Sequence, residues 1–180
     1  MKFNMKYWKF PAVFVFSLFL LPSVTPAQHY KQTNLVSNIA GRAPVQDSNL
    51  KNPWGLTRSS GSPWWVGNNN SGTSTLYTGT GAIIPINGTG TVTVPPRNGS
   101  PAGTQATPTG VVFNGSPTDF LVAPGKSAHF IFATEDGTIS GWNGGQNAVL
   151  VVDNSDNGSS NGAVYKGATP AKSMATNFSM

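Results

Sequence analysis

Asn52-Pro53-Trp54-Gly55-Leu56 and Thr107-Pro108-Thr109-Gly110-Val111 open two cassettes that follow the same plan. The first runs through Trp64-Trp65-Val66 to Ser74-Thr75-Leu76-Tyr77 and a Gly79-Thr80-Gly81 turn. The second runs through Phe120-Leu121-Val122 to Phe130-Ile131-Phe132 and an Asp136-Gly137 turn. Gly55 and Gly110 lie 55 positions apart, Val66 and Val122 lie 56 apart, and so do Gly81 and Gly137. A near-constant period with short apolar runs marks a repeat architecture, most simply one propeller blade per repeat.

The clearest local signal within the second cassette is Phe130-Ile131-Phe132-Ala133-Thr134-Glu135-Asp136-Gly137-Thr138-Ile139-Ser140-Gly141-Trp142. Asp-Gly between two strand-forming runs predicts a hairpin with a type I′ turn. Side chains alternate along a strand, so Phe130 and Phe132 share one face while Ile131 and Ala133 share the other. Both faces are apolar and need cover, which stacked sheets provide.

No window beyond the N-terminal segment sustains apolar residues at helical spacing, and Gly or Pro interrupts nearly all of them, so the chain reads as all-β. The expected strands are 35–39, 55–58, 64–67, 75–78, 82–86, 91–94, 110–113, 119–122, 129–134, 138–142 and 148–152. They make a partial β-propeller over residues 28–167: two four-stranded antiparallel blades, about 52–94 and 107–152, plus the start of a third at Gly162-Ala163-Val164-Tyr165-Lys166-Gly167. Leu35-Val36-Ser37 has no blade before it and suits ring closure, as half of a last blade. Propellers close with about four to eight blades. The chain is therefore expected to be an N-terminal fragment of a longer protein, or one of several copies that assemble. Residues 168–180, with Pro170 and no apolar run, are expected to form a disordered tail.

Residues 1–27 read as a signal peptide: Lys2, Lys6 and Lys9, an apolar run from Ala12 to Leu21, then Thr25-Pro26-Ala27. The run is about half of what a membrane-spanning helix needs, so no stable span is expected after cleavage. Cleavage would remove three lysines and lower the formal charge from +5 to +2. The remaining basic residues are scattered singly, which argues against nucleic acid as a partner. With no cysteine, the chain has neither a disulfide nor a lipid-attachment thiol, and its stability rests on burial. The expected localisation is secreted or periplasmic.

Asn52-Pro53-Trp54-Gly55-Leu56, the phrase from Phe130 to Asn143, Ala148-Val149-Leu150 and Gly162–Gly167 together resemble an uncharacterised family of predicted secreted bacterial β-propellers. Some of its members carry a C-terminal sorting signal of the PEP-CTERM type, and they are distantly similar to NHL repeats. The resemblance covers roughly Leu35 to Gly167 and implies a longer propeller with no assigned activity.

Chemistry-bearing residues are few. Glu135 is the only glutamate and a candidate metal ligand, although the turn chemistry of Glu135-Asp136-Gly137 favours a plain hairpin tip over that role. Asp153-Asn154-Ser155-Asp156-Asn157-Gly158 imitates the start of a calcium loop, but its twelfth position is Val164, so calcium at Asp153 and Asp156 competes with a plain Asx-rich loop. His29 and His129 have no neighbouring nucleophile or acid that would complete a triad. Trp64 and Trp65 point to opposite faces, so one can pack between sheets while the other meets a ligand. These features predict a binding or scaffold module for an extracellular protein or glycan, without catalysis or an obligate cofactor. The competing readings are a metal-assisted propeller hydrolase or lactonase using Glu135, and a truncated product without an independent role.

Overall fold

The computed structural model describes residues 30–86 and 88–171. Residues 1–27, expected as a signal peptide, His29 and most of the expected tail lie outside the described residues. The chain divides at Thr33, and residues 30–33 have no regular structure; the fold belongs to the unit that begins at Asn34. Among the described residues there are twelve strands and no α-helix.

Two four-stranded antiparallel sheets carry the unit. The first is a meander of β3 (Pro53–Thr57), β4 (Trp64–Asn68), β5 (Thr73–Tyr77) and β6 (Thr91–Thr93). The second runs β7 (Pro108–Phe113), β10 (Phe130–Thr134), β11 (Thr138–Trp142) and β12 (Val149–Asp153). Between β7 and β10 is a small hairpin of β8 (Leu121–Ala123) and β9 (Lys126–Ser127). Residues 82–86 were expected as a strand but form only isolated bridges, Ile83 to Tyr77 and Ile86 to Thr89. Pro85 has no N–H to extend a ladder there.

The repeat is real, but its correspondence differs from even spacing. In the first sheet Leu56 pairs with Val66 and Thr57 with Trp65; in the second Val111 pairs with Phe132 and Val112 with Ile131. The counterpart of β4 is therefore β10, not Phe120-Leu121-Val122. The extra length lies in residues 114–129, which hold the β8–β9 hairpin where the first sheet has only 58–63. Both first strands carry an irregularity that places a proline opposite the end of the next strand, Pro53 against Asn68 and Pro108 against Thr134. The backbone N–H of Asn69 donates to the Asn52 carbonyl at 3.1 Å, and that of Glu135 donates to Thr107 at 2.9 Å. The same bond recurs at the same place.

The β10–β11 turn also differs from the expected type I′. Gly137 has φ of 79°, whereas Asp136 is not among the residues of positive φ, and the loop 135–137 has three residues. This is the three-residue hairpin in which a left-handed glycine closes the turn.

Glycine governs how the sheets meet. A Cβ on Gly55 would lie 2.6 Å from the Val111 nitrogen and 2.9 Å from the Thr109 carbonyl oxygen, so β3 and β7 touch backbone to backbone. A Cβ on Gly110 would lie 2.6 Å from the Ala168 nitrogen. Residues 162–168 thus meet Gly110 as β7 meets Gly55, although they form no strand. Their ties are the Tyr165 N–H to the Thr134 carbonyl at 3.1 Å and the Thr109 hydroxyl to the Tyr165 carbonyl at 2.7 Å. At the far edge, the Thr93 N–H donates to Gln146 and the Ala148 N–H to Thr93, linking β6 to the entry of β12.

Between the sheets lies the core: Trp65, Leu76, Val92, Val94, Val111, Phe130 and Phe132, with Ala106 and Ala148 filling gaps. Burial of these side chains stabilises the fold by about 1.5–3 kcal/mol for each large one. The N-terminal strand β1 (Val36–Ser37) pairs in parallel with β2 (Val45–Gln46) and with neither larger sheet. The β1–β2 segment is held to the first sheet by the Tyr77 hydroxyl, which donates to Asp47 Oδ2 at 2.8 Å; both residues are buried. Burial raises the Tyr77 pKa above its usual value, and the hydrogen bond to Asp47 pushes it further.

Gly110→Ala should destabilise the protein by at least about 2 kcal/mol in urea titration, because backbone must move to admit the methyl. Gly67→Ala is the matched control: its Cβ would meet nothing nearer than Pro108 at 3.8 Å, and a change beyond about 1 kcal/mol would contradict the steric argument. A raised tyrosine pKa gives stability that is whole below the ordinary value of 10 and is lost as pH rises above it. Tyr77→Phe should therefore flatten the alkaline loss of stability measured by thermal melts.

Candidate functional site

The antiparallel meanders give the paired sheets two distinct ends. At one end lie the β4–β5 and β10–β11 turns; at the other lie the loops 58–63 and 114–129 and the ends of β5, β7 and β11. The first end is polar and the second aromatic.

Trp65 turns into the interface and stacks on Phe130 with ring centroids 4.2 Å apart and planes 20° from parallel. Trp142, from the end of β11, stands 4.7 Å from Trp65, and Phe113, from the end of β7, stands 5.7 Å from Phe130. Offset and tilted aromatic pairs of this kind contribute about 0.5–1.5 kcal/mol beyond area burial. The rings do not fill the aromatic end. A cleft of about 520 Å³ opens between the sheets, walled by Trp65, Leu76, Phe113, Phe130 and Trp142 and edged by His129. The exposed His129 ring meets Trp142 edge-on at 6.1 Å. A second hollow of about 400 Å³ shares Phe113 and His129 with the first and is lined further by Asn114, Ser116, Lys126 and Asn143.

The two candidate tryptophans are separated by the strand they share. Trp65 is 2% exposed and belongs to the cleft wall. Trp64 is half-buried on the opposite face, with the Arg58 guanidinium 5.4 Å above its ring. Phe113 was not singled out as a ligand contact by the sequence. Alternation made Phe130 a candidate for a covered face, but Phe113 and His129 border the inserted segment, and spacing carries no sign of their meeting.

Glu135 occupies the polar end. Its Oε2 accepts from Asn69 Nδ2 at 2.9 Å and its Oε1 pairs with the Lys166 ammonium. Hydrogen bonding from Lys166 first, then from Asn69, holds its carboxyl below the usual glutamate value. Lys166 also stands 5.7 Å over the Trp54 ring. Glu135 thereby ties the first sheet to the segment after the second, with both oxygens engaged.

Asp153 lies at the end of β12, where Oδ2 accepts the Asn98 N–H at 2.8 Å and Oδ1 accepts the Ser155 N–H at 3.0 Å. Hydrogen bonds from Ser155, then from the Asn98 backbone, hold its carboxyl below the usual aspartate value. Asp156 accepts from the Ser159 hydroxyl within the short 3-10 turn Asp156–Gly158. The candidate metal ligands Glu135, Asp153 and Asp156 therefore have separate protein partners. Among the described residues no group of three or more His, Cys, Asp or Glu is placed to hold a metal ion. The Asp153–Gly158 loop has the hydrogen bonding of an Asx-rich turn.

Comparison of the chain with protein-family models, curated proteins and solved structures gave no match, so the site is read from its geometry.

A carboxyl held below its usual pKa contributes stability that is whole above that value, near 4.5 for glutamate, and is lost as pH falls below it. Glu135→Gln should lower the urea midpoint at neutral pH, and the gap from wild type should close as the pH falls to about 3. A gap that stays constant would show that the Glu135 charge does not tie the repeats.

Proposed function

We propose that this chain is a secreted or periplasmic binding or scaffold module built on β-propeller-type repeats, with the aromatic cleft as its ligand site. The observation that carries the reading is the cleft itself: walls from two equivalent sheets, aromatic side chains on both, and a volume within the roughly 300–1,000 Å³ typical of small-molecule sites. The repeated backbone approach at Gly55 and Gly110, and the start of a third approach at Ala168, support a propeller-type arrangement with β3 and β7 innermost. The resemblance to secreted bacterial propellers points the same way, and so does the basic, apolar N-terminal segment, which fits export.

Binding ranks above hydrolysis because Glu135, the residue on which the metal-assisted alternative depends, has both carboxylate oxygens committed to Asn69 and Lys166. A helix long and apolar enough to cross a membrane is absent among the described residues. The module calls for no cofactor, and its ligand belongs to an extracellular glycan, protein or small amphipathic compound.

Titration of the purified protein with soluble oligosaccharides and small aromatic compounds, followed by tryptophan fluorescence, tests the reading. One class should give a saturable change through Trp65 and Trp142, weakened by Phe113→Ala in a variant whose melting temperature is close to wild type. No saturable change from either class would refute the cleft as a binding site.

A further inference from the structure

We propose that the cleft and the neighbouring hollow form one site for a small amphipathic anion, with a flat aromatic body against Phe113 and Trp142 at the mouth of the cleft and a carboxylate held at Lys126. The inference rests on the cleft being a binding site and adds the chemistry of its ligand.

The two spaces meet at Phe113 and His129, which line both. One is walled mainly by apolar rings and the other by amides, hydroxyls and an ammonium. A molecule spanning them needs an apolar body and a polar head.

Charge selects the head. Among the described residues, Lys126 is the only Lys, Arg, Asp or Glu lining either space. Its ammonium has no hydrogen-bond or ion-pair partner among the described residues. The nearest acid in sequence on this loop, Asp119, lines neither space and accepts the Ser116 hydroxyl at 2.7 Å.

The polar rim is built before any ligand arrives. Lys126 follows Pro124-Gly125, with Gly125 at φ of 70°, the proline–glycine chemistry of a tight type II turn between β8 and β9. Asn114 Nδ2 donates to the Asp119 carbonyl, the Ser127 hydroxyl and the Ala128 carbonyl at 3.1, 3.0 and 2.9 Å, while Asn114 Oδ1 accepts the Ser116 N–H at 3.1 Å. Asn143 Nδ2 donates to the Ser127 carbonyl, tying the end of β11 to the same hairpin. A rim whose amides are already engaged inside the protein holds its shape, and rigid placement lowers the entropic penalty of binding.

The apolar half selects the body. Trp65 and Phe130 are already stacked on each other, while Phe113 is 36% exposed at the mouth and Trp142 is partly exposed beside it. A flat ring meets the exposed faces of Phe113 and Trp142 by offset or edge-to-face contact, as aromatic pairs do.

Calorimetric titration with naphthoate and with uncharged naphthylmethanol, at neutral pH in low and high salt, tests the proposal. Wild type should bind naphthoate about fivefold tighter than the alcohol, and high salt should narrow that preference. Lys126→Ala should abolish the preference and Lys126→Glu should invert it, in variants whose melting temperatures are close to wild type. Phe113→Ala should weaken both ligands. Equal affinity for the two ligands in wild type, or a preference that survives Lys126→Glu, would overturn the anion assignment while leaving the cleft as a binding site. Absence of binding by either ligand would overturn the proposal, and failure of the wider glycan and aromatic titration as well would remove the cleft itself.

Discussion

The close approach of β3 to β7, with the Gly55 Cα against the Val111 amide, sets the geometry of everything else. No other residue lets two backbones come so near, because any Cβ would occupy the space of the neighbouring peptide. The sheets are thereby clamped along their first strands, and large side chains further along β4, β10 and β11 fill the space between them. Trp65, Phe130 and Phe132 do this, and at the ends of β7 and β11 the filling runs out and the cleft begins. A clamp made of glycine and a filling made of aromatic rings are two halves of one packing solution.

The opposite end of the sheets uses polar chemistry for the same purpose. Asn69, in the first hairpin turn, reaches Glu135, in the corresponding turn of the second sheet, and Glu135 reaches Lys166 beyond it. Asn69 is buried, but the Glu135–Lys166 pair faces water, and exposed ion pairs contribute only about 0–1 kcal/mol. Their effect is on register: each turn is held to the next at a fixed place, with the buried aromatic core supplying the larger share of stability. The Asp47–Tyr77 bond does similar work for the N-terminal segment, where β1 and β2 have only two residues each.

Much of this was readable in the sequence because the governing residues are chemically distinctive. Gly55 and Gly110 stood out as recurring glycines, the opposed directions of Trp64 and Trp65 followed from strand alternation, and the two-sided apolar character of Phe130–Ala133 demanded a covering sheet. Even spacing misled at Phe120-Leu121-Val122. An insertion at 114–129 shifted the second strand to Phe130–Thr134, and period counting assumes loops of constant length. The β8–β9 hairpin fits locally because Gly141 leaves room on β11: a Cβ there would lie 2.5 Å from Val122 and 2.8 Å from Ala128. Such a contact joins residues from different strands and has no signature in spacing. The cleft was hidden for the same reason, since Phe113, His129 and Trp142 are brought together only by the fold. Glu135 was singled out for its rarity, and its partners Asn69 and Lys166 give that rarity a structural use.

The glycine clamp is most directly observed by nuclear Overhauser spectroscopy on labelled protein. A strong cross-peak between a Gly55 α-proton and the Val111 amide proton, with a second between a Gly110 α-proton and the Ala168 amide proton, is the expected result. Absence of the Gly55–Val111 cross-peak in well-dispersed spectra with both resonances assigned would contradict the stacking of equivalent sheets on which the cleft depends.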